Sequence, residues 1–207
     1  MHIAIVIFDG FDEIDAFVSL GLLNRLTPLG WKAELVAPVA RATSMNGVTV
    51  EVQQPLAFAN KADVVLFGGN LYARAIAEGI GQRGAPMAGL KLDPLRQTLG
   101  AQGSGTLLLA RLGLLGDMPA CTDLATKPWV TEAGVRVLDN EPFHARGAIA
   151  TAGGSMSTVH LAAWVMLRHA GPEATIQTLR EVAPVGMERA WTKRVLDVVK
   201  PFLDAPA

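Results

Sequence analysis

Residues 99–115 read LGAQGSGTLLLARLGLL. A short apolar stretch, Leu99 to Gln102, runs into Gly103-Ser104-Gly105 and then into an apolar helical run from Thr106 to Leu115. That order predicts a strand, a tight turn and a helix, although the strand pattern is weak when taken alone. Its neighbours give it context. Upstream, Ile3 to Phe8 is a continuous β-branched and aromatic run ended by Asp9-Gly10. Asp63 to Phe67 is another strand of this buried type, closed by Gly68-Gly69, and Ala33 to Ala37 is a short strand closed by Pro38. Downstream, Ala148 to Ala152 ends in Gly153-Gly154. Runs of this kind suit strands buried on both faces of a sheet.

Helical patterns lie between them. Phe17, Leu20, Leu23 and Leu26 recur at helical spacing until Thr27-Pro28-Leu29-Gly30 stops them. Tyr72 to Ala77 reads as a helix, and the glycine-rich segment from Gly79 to Gly89 as a loop. Ser155 is placed to cap a helix reaching about His169, with Gly171 past its end and Pro172 opening the next. Val159, Leu161, Ala162, Trp164, Val165 and Leu167 make that helix apolar almost all round, so it should be buried. A last amphipathic helix covers roughly Met187 to Val199. Val48, Val50 and Val52 alternate with polar residues, as in an edge strand or hairpin arm, and Val135 to Leu138 reads as a small strand. Alternating strands and helices predict an α/β fold with a parallel sheet covered on both faces.

Composition narrows the function. The chain has 207 residues, half of them apolar, a net charge of −1 and one cysteine. One domain spanning 1–207 is expected, large enough to need no disulfide or metal. A single cysteine makes no internal disulfide, and no Cys/His pairs stand at zinc-ligand spacing. The charge shows no nucleic-acid footprint. The densest apolar stretch, Leu161 to Leu167, is too short to span a membrane. The N-terminal residues lack a basic leader and read as a first strand, so a cytoplasmic location is expected. No cofactor or metal is called for.

In parallel sheets ligands bind beyond the carboxyl ends of the strands. Four such ends carry glycine here, which predicts one rim of accessible backbone N–H groups. None is a phosphate loop: no Gly-Lys-Ser/Thr follows, and no G-x-G-x-x-G is present.

Five segments, in this order, carry a resemblance: FDGFDEID at 8–15, VVLFGG at 64–69, GAQGSGTLLLARLGLL at 100–115, ACTD at 120–123 and IATAGG at 149–154. Together they resemble the ThiJ/PfpI superfamily, whose fold is that of class I glutamine amidotransferases, and most of all its isonitrile hydratase-like branch. The resemblance runs from about Ile3 to about Val185. It implies a flavodoxin-like three-layer sandwich, mostly parallel, with helices on both faces, and a homodimer.

The family's usual nucleophile is a cysteine on the strand-to-helix turn, and Gly103 stands at the matching position. Asp15 matches the acidic residue that hydrogen-bonds the nucleophilic sulfur in the hydratase branch. Ser104 matches the residue after the nucleophile. Gly69 matches the glycine strand end that closes the site, with Asn70 and Gly105 beside these two ends. Asp123 falls where many relatives carry a histidine. The resemblance thus implies a site of Asp15, Gly103 and Ser104, lined by Gly69, Asn70, Gly105 and Asp123, with N–H groups around Gly69 and Ser104 as the anion hole.

A cysteine at such an elbow would be activated by the helix N-terminus, and neighbouring N–H groups would stabilise charge on the substrate. The implied reaction is attack on an isonitrile carbon, with water then giving an N-substituted formamide. Glycine keeps the bend and supplies no nucleophile. It is open to three accounts: a natural loss, a substitution made to trap a ligand or avoid oxidation, or a site that never used covalent chemistry. Two other functions stay open, a non-catalytic binding or regulatory module and a glyoxalase- or deglycase-like activity on reactive carbonyls. The latter also needs the missing thiol.

The remaining candidates read as follows. Ser104 lacks the flanking glycines of a serine-hydrolase elbow, so it is expected to cap the helix. Cys121 is expected to be a small buried hydrophobe. Asp15 is open to two readings: a cap for the helix that follows, with Asp12 and Glu13 serving the same terminus, or, as the resemblance implies, a group that points into the pocket with a raised pKa. His160 is expected in the core and His144 in a loop near a dimer surface. Trp129 is a candidate pocket wall or interface anchor.

Overall fold

The computed structural model describes residues 1–82 and 84–203. Among the described residues the strands are β1 (His2–Val6), β2 (Lys32–Ala37), β3 (Arg41–Thr43), β4 (Thr49–Glu51), β5 (Gln54–Pro55), β6 (Val64–Phe67), β7 (Thr98–Gln102), β8 (Phe143–Arg146) and β9 (Ile149–Ala152). Seven of them form one sheet in the order β5-β2-β1-β6-β7-β9-β8. Every pairing in it is parallel except β8 with β9. Strand order reverses between β1 and β6, which opens a crevice at their carboxyl ends. β3 and β4 form a separate hairpin, with Val50 opposite Ala42, so Val48 to Val52 does supply a hairpin arm.

The helices are α1 (Glu13–Leu23), α2 (Ala73–Glu78), α3 (Gly105–Arg111), α4 (Lys127–Glu132), α5 (Thr158–Val182) and α6 (Glu188–Val199). Successive strand residues point to opposite faces, and two cores result. Ile3, Ile5, Val64 and Leu66 pack with Leu23 of α1, Leu161 and Trp164 of α5, and Val199 of α6. Ala4, Val6, Val65 and Phe67 pack with Leu107 and Leu108 of α3 and Val130 of α4. This is the flavodoxin-like three-layer arrangement. Trp164 is fully enclosed against Phe143, their ring centroids 6.2 Å apart. Gly100 lets α5 close on the sheet, because a β-carbon there would lie 2.7 Å from Leu66 Cδ2 and 2.8 Å from Leu161 Cδ1. No helix among the described residues is long and apolar enough to cross a membrane.

Several local expectations need correction. In α1 the buried face is Asp15, Ala16, Ser19, Leu22 and Leu23, while Phe17 is 36% exposed. The apolar stripe misleads because a carboxylate, not a hydrocarbon, occupies the inward position of the first turn. Leu26 is buried, but in the 3-10 turn Asn24–Leu29 that Gly30 ends at φ 78°. The helix after Gly105 stops at Arg111, short of Leu115. Val135 to Leu138 makes only a single bridge, Val137 to Ala120. β8 was not expected: four residues give little pattern, and only the alternation of buried Phe143 and Ala145 with half-buried His144 and Arg146 marks it. His144 therefore sits on an edge strand and not in a loop. α5 breaks at Gly171, whose φ of 83° and ψ of 175° are not helical, as the Gly171-Pro172 pair implies.

Candidate ligand site at the Gly103 elbow

The carboxyl ends of β1, β6 and β7 meet at a cleft of about 240 Å³. Gly103 forms its floor, with φ at +51°. The turn is held from both sides: Gly103 N–H donates to Ala152 O at 2.9 Å, and the Thr122 hydroxyl donates to Gly103 O at 2.8 Å. Gly105 is required by close approach, since a β-carbon there would lie 2.4 Å from Phe67 O. At Gly103 the geometry is the reverse. A β-carbon would enter the cleft, 3.3 Å from Asp123 Oδ2 and 3.7 Å from Asp15 Oδ2.

Asp15 is 3% exposed, at the start of α1. Its Oδ2 accepts the Gly69 N–H at 2.7 Å, and its Oδ1 accepts the Thr158 hydroxyl at 3.0 Å. Burial is the main force on its acidity, followed by repulsion from Asp12; the two hydrogen bonds oppose them, and Asp123 adds to the repulsion. The carboxyl is pushed up from 3.8 to about 7.

Asp12 caps α1 by accepting the Ile14 N–H at 2.8 Å, and its Oδ2 accepts the Ser155 hydroxyl at 2.8 Å. Ser155 therefore does not cap a helix with its side chain, as its position suggests; it leans across to α1, and a 3-10 turn, Ser155–Ser157, leads into α5. Asp123 accepts the Thr126 N–H and the Thr126 hydroxyl, both at 2.8 Å.

Ser104 precedes α3 but makes no capping bond. Its hydroxyl oxygen accepts the Asn70 N–H at 2.8 Å and its hydroxyl donates to Asn70 O at 3.1 Å. Asn70 also donates its side-chain amide to Asp9 O at 2.9 Å, which ties the end of β1 to the end of β6. The proposed anion hole changes accordingly. The N–H groups of Gly69 and Asn70 are engaged with Asp15 and Ser104. Those of Ser104 and Gly105 have no protein acceptor among the described residues.

Trp129 of α4 forms a wall of the cleft, with Met45 and Leu71 at the mouth. Cys121 is fully buried and away from the cleft, and burial pushes its thiol up to about 12, with the Glu141 charge adding to it. It is a core hydrophobe with no thiolate to offer. His160 is not a core residue: it is half-buried in a second, apolar groove of about 480 Å³ between α1, α5 and α6. Burial holds its imidazole below the ordinary value. His144 packs edge-on against Phe202, centroids 5.1 Å apart, and takes no part in the cleft.

The fold thus brings Asp15, Gly69, Asn70, Gly103, Ser104 and Asp123 around one cleft, whereas Gly105 does not line it and is buried against the end of β6. Sequence reasoning missed three supporting groups. The sequence pattern marks Asp12 only as a helix-terminus charge and Ser155 only as a cap. Thr158 lies 143 residues from its partner Asp15, and nothing in its local pattern announces the contact. Among the described residues no group of three or more His, Cys, Asp or Glu side chains is placed to hold a metal.

An open α/β sheet with its cleft at a strand-to-helix elbow defines a structural class, and solved structures identify it. DJ-1 from Schizosaccharomyces pombe superposes with a TM-score of 0.72 at 15% identity, over 89% of this chain and 100% of that one. Drosophila melanogaster DJ-1beta gives 0.70 at 17% identity, over 87% and 96%. A ThiJ/PfpI domain protein from Brachyspira murdochii gives 0.64 at 19% identity, over 88% and 98%. The chain has the fold of the DJ-1/ThiJ/PfpI proteins. No family model and no curated protein matches its sequence.

Proposed function

We propose that the cleft is a small-molecule site of the isonitrile hydratase type from which the nucleophile has been lost at Gly103. One observation carries this reading: the missing β-carbon of Gly103 would point into the cleft between the carboxylates of Asp15 and Asp123. A thiol on that carbon would stand where the hydratase branch needs it, with Asp15 as its hydrogen-bonding and acid/base partner. In that chemistry the sulfur adds to the isonitrile carbon. Water then adds to the same carbon, the C–S bond breaks, and an N-substituted formamide leaves with the thiol restored. The Ser104 and Gly105 N–H groups would face the charge that develops. The chain as it stands lacks the thiol and is inactive by this route.

The test is Gly103→Cys, assayed beside the parent chain for hydration of a small aryl or alkyl isonitrile and for methylglyoxal conversion. Isonitrile turnover should rise by about a thousand-fold or more over the parent, the scale on which a nucleophile contributes. Turnover already present with Gly103 overturns this reading. A gain on methylglyoxal alone moves the site to carbonyl chemistry. Inactivity of both forms, with the variant folded, favours a non-catalytic binding module, a reading that the buried, unreactive Cys121 also supports.

We further propose a cytoplasmic homodimer without a cofactor. Exposed Ile14, Phe17 and Met156 gather on the rim of the apolar groove, an arrangement that suits cover by a second copy. Sedimentation at micromolar concentration should give twice the chain mass; a monomer would remove this part of the proposal.

A further inference from the structure

We propose that the Gly103 cleft selects a small organic cation, an ammonium group on a compact apolar body, over neutral and anionic ligands. The proposal rests on the cleft being the ligand site and not on isonitrile chemistry.

Three observations carry it. First, Asp12, Asp15 and Asp123 all line the cleft, and no Lys, Arg or His does. None of the three carboxylates has an ion-pair partner among the described residues. Their partners are hydroxyls and backbone N–H groups: Ser155 and Ile14 for Asp12, Gly69 and Thr158 for Asp15, Thr126 for Asp123. Such donors orient a carboxylate without cancelling its charge. The N-terminus of α1 offsets part of the charge of Asp12 and Asp15, but no side-chain cation does, so the cleft keeps a net negative potential, which a bound cation would relieve and a bound anion would worsen.

Second, the space above Gly103 has the shape for an N–H donor. The point where a β-carbon would stand lies 3.3 Å from Asp123 Oδ2 and 3.7 Å from Asp15 Oδ2. A nitrogen seated near that point reaches both oxygens with small adjustment, and each oxygen has lone-pair capacity beyond the one bond it accepts. A side chain at position 103 would fill this space.

Third, the walls away from the carboxylates are apolar. Trp129 lines one side, and Met45 and Leu71 stand exposed at the mouth. The Arg74 guanidinium already lies 5.7 Å from the Trp129 ring centroid, so the ring meets a cation on one face. Arg74 does not neutralise the cleft: it pairs with Glu78 and Glu132. A polar floor and apolar walls suit an amphipathic ligand, and about 240 Å³ accommodates a small arylalkyl amine.

The parent chain is titrated with benzylammonium, benzyl alcohol and phenylacetate while backbone amide and indole resonances are followed by NMR. Benzylammonium should shift Gly103, Ser104, Gly105 and the Trp129 indole. It should bind about ten-fold or more tightly than benzyl alcohol, and phenylacetate should leave these resonances unmoved. Raising the pH from 6 to 8 should strengthen ammonium binding several-fold, because Asp15 ionises near pH 7 and faces Asp12 and Asp123 with no basic group in the cleft. Asp123→Asn should weaken binding about five-fold or more. Asp15→Asn should weaken it too and remove the pH dependence; melting curves establish that each variant is folded. The proposal is overturned if the alcohol or the carboxylate binds as well as the ammonium. It is equally overturned if neither folded variant weakens binding, or if benzylammonium moves nothing by about 10 mM, the edge of measurable affinity for so small a probe. Hydration by Gly103→Cys without ammonium binding to the parent removes this inference alone. Ammonium binding with an inactive Gly103→Cys removes only the hydratase reading.

Discussion

Gly105→Ala should lower the stability of the chain by at least about 3 kcal/mol, through overpacking that no side-chain rotation relieves. The added β-carbon would meet Phe67 O at 2.4 Å, Gly68 O at 2.8 Å and Phe67 C at 2.9 Å. All three are backbone atoms at the end of β6. That strand is hydrogen-bonded to β1 on one side and β7 on the other, so it has nowhere to retreat. The alternative is for α3 to lift away, which would uncover Leu107, Leu108 and Leu109, all fully buried. Domains of this kind are stable by only about 5–15 kcal/mol, so the loss is a large fraction of the whole. Gly21→Ala is the matched control. Gly21 lies within α1 and nothing stands within 4 Å of its added carbon, so the same change should stabilise slightly, by about 0.5–1 kcal/mol of helix propensity. Urea unfolding of the two variants beside the parent checks both signs. A Gly105→Ala chain as stable as the parent would mean that α3 does not start against the end of β6.

The same residues show where the sequence is informative and where it is silent. The central strands were legible because burial on both faces forces uninterrupted apolar composition, as in Ile3 to Phe8 and Val64 to Phe67. β7 was weak by itself because Gly100 and Gln102 interrupt it. Gly100 is there for the close contact with Leu161, and that contact is invisible until α5 is in place. β8 and the single bridge at Val137 were misjudged because edge segments of a few residues carry almost no periodicity. The elbow could be placed from a family resemblance, since glycine at each strand end is the chemical requirement for a turn that tight. What could not be read were the long-range contacts. Ser155 and Thr158 look like ordinary residues at the start of a helix, yet they fix the carboxylates of Asp12 and Asp15 across 143 positions of chain. Gly69 and Asn70 were legible as site residues, but not the engagement of their N–H groups with Asp15 and Ser104.

Asp15→Asn should stabilise the protein at pH 8 and leave it nearly unchanged at pH 4. The argument is one of proton linkage. In the folded state the carboxyl titrates near 7, against an ordinary value of 3.8, with burial as the first cause and Asp12 as the second. Below pH 3.8 both folded and unfolded chains carry the proton, and Asp15 imposes no penalty. Between 3.8 and about 7 the folded chain binds more protons than the unfolded one, so stability falls as pH rises. Above about 7 the penalty is complete, and a shift of this size corresponds to about 4 kcal/mol. Asparagine has nearly the same shape and no charge. Its carbonyl oxygen can accept the Gly69 N–H, and its amide can donate to the Thr158 hydroxyl, so both contacts of Asp15 survive. The expected gain at pH 8 is about 2–4 kcal/mol, or roughly 5–15 °C in melting temperature for a chain of this size. Urea melts of parent and variant at the two pH values check it. An equal difference at both pH values, or a loss at pH 8, would mean that the charged form of Asp15 is the one the fold favours. A gain at pH 8 alone has a functional meaning. A carboxyl held in the fold at the expense of stability, at the wall of a cleft and beside an elbow with no side chain, behaves as a group kept for what binds there rather than for what holds the chain together.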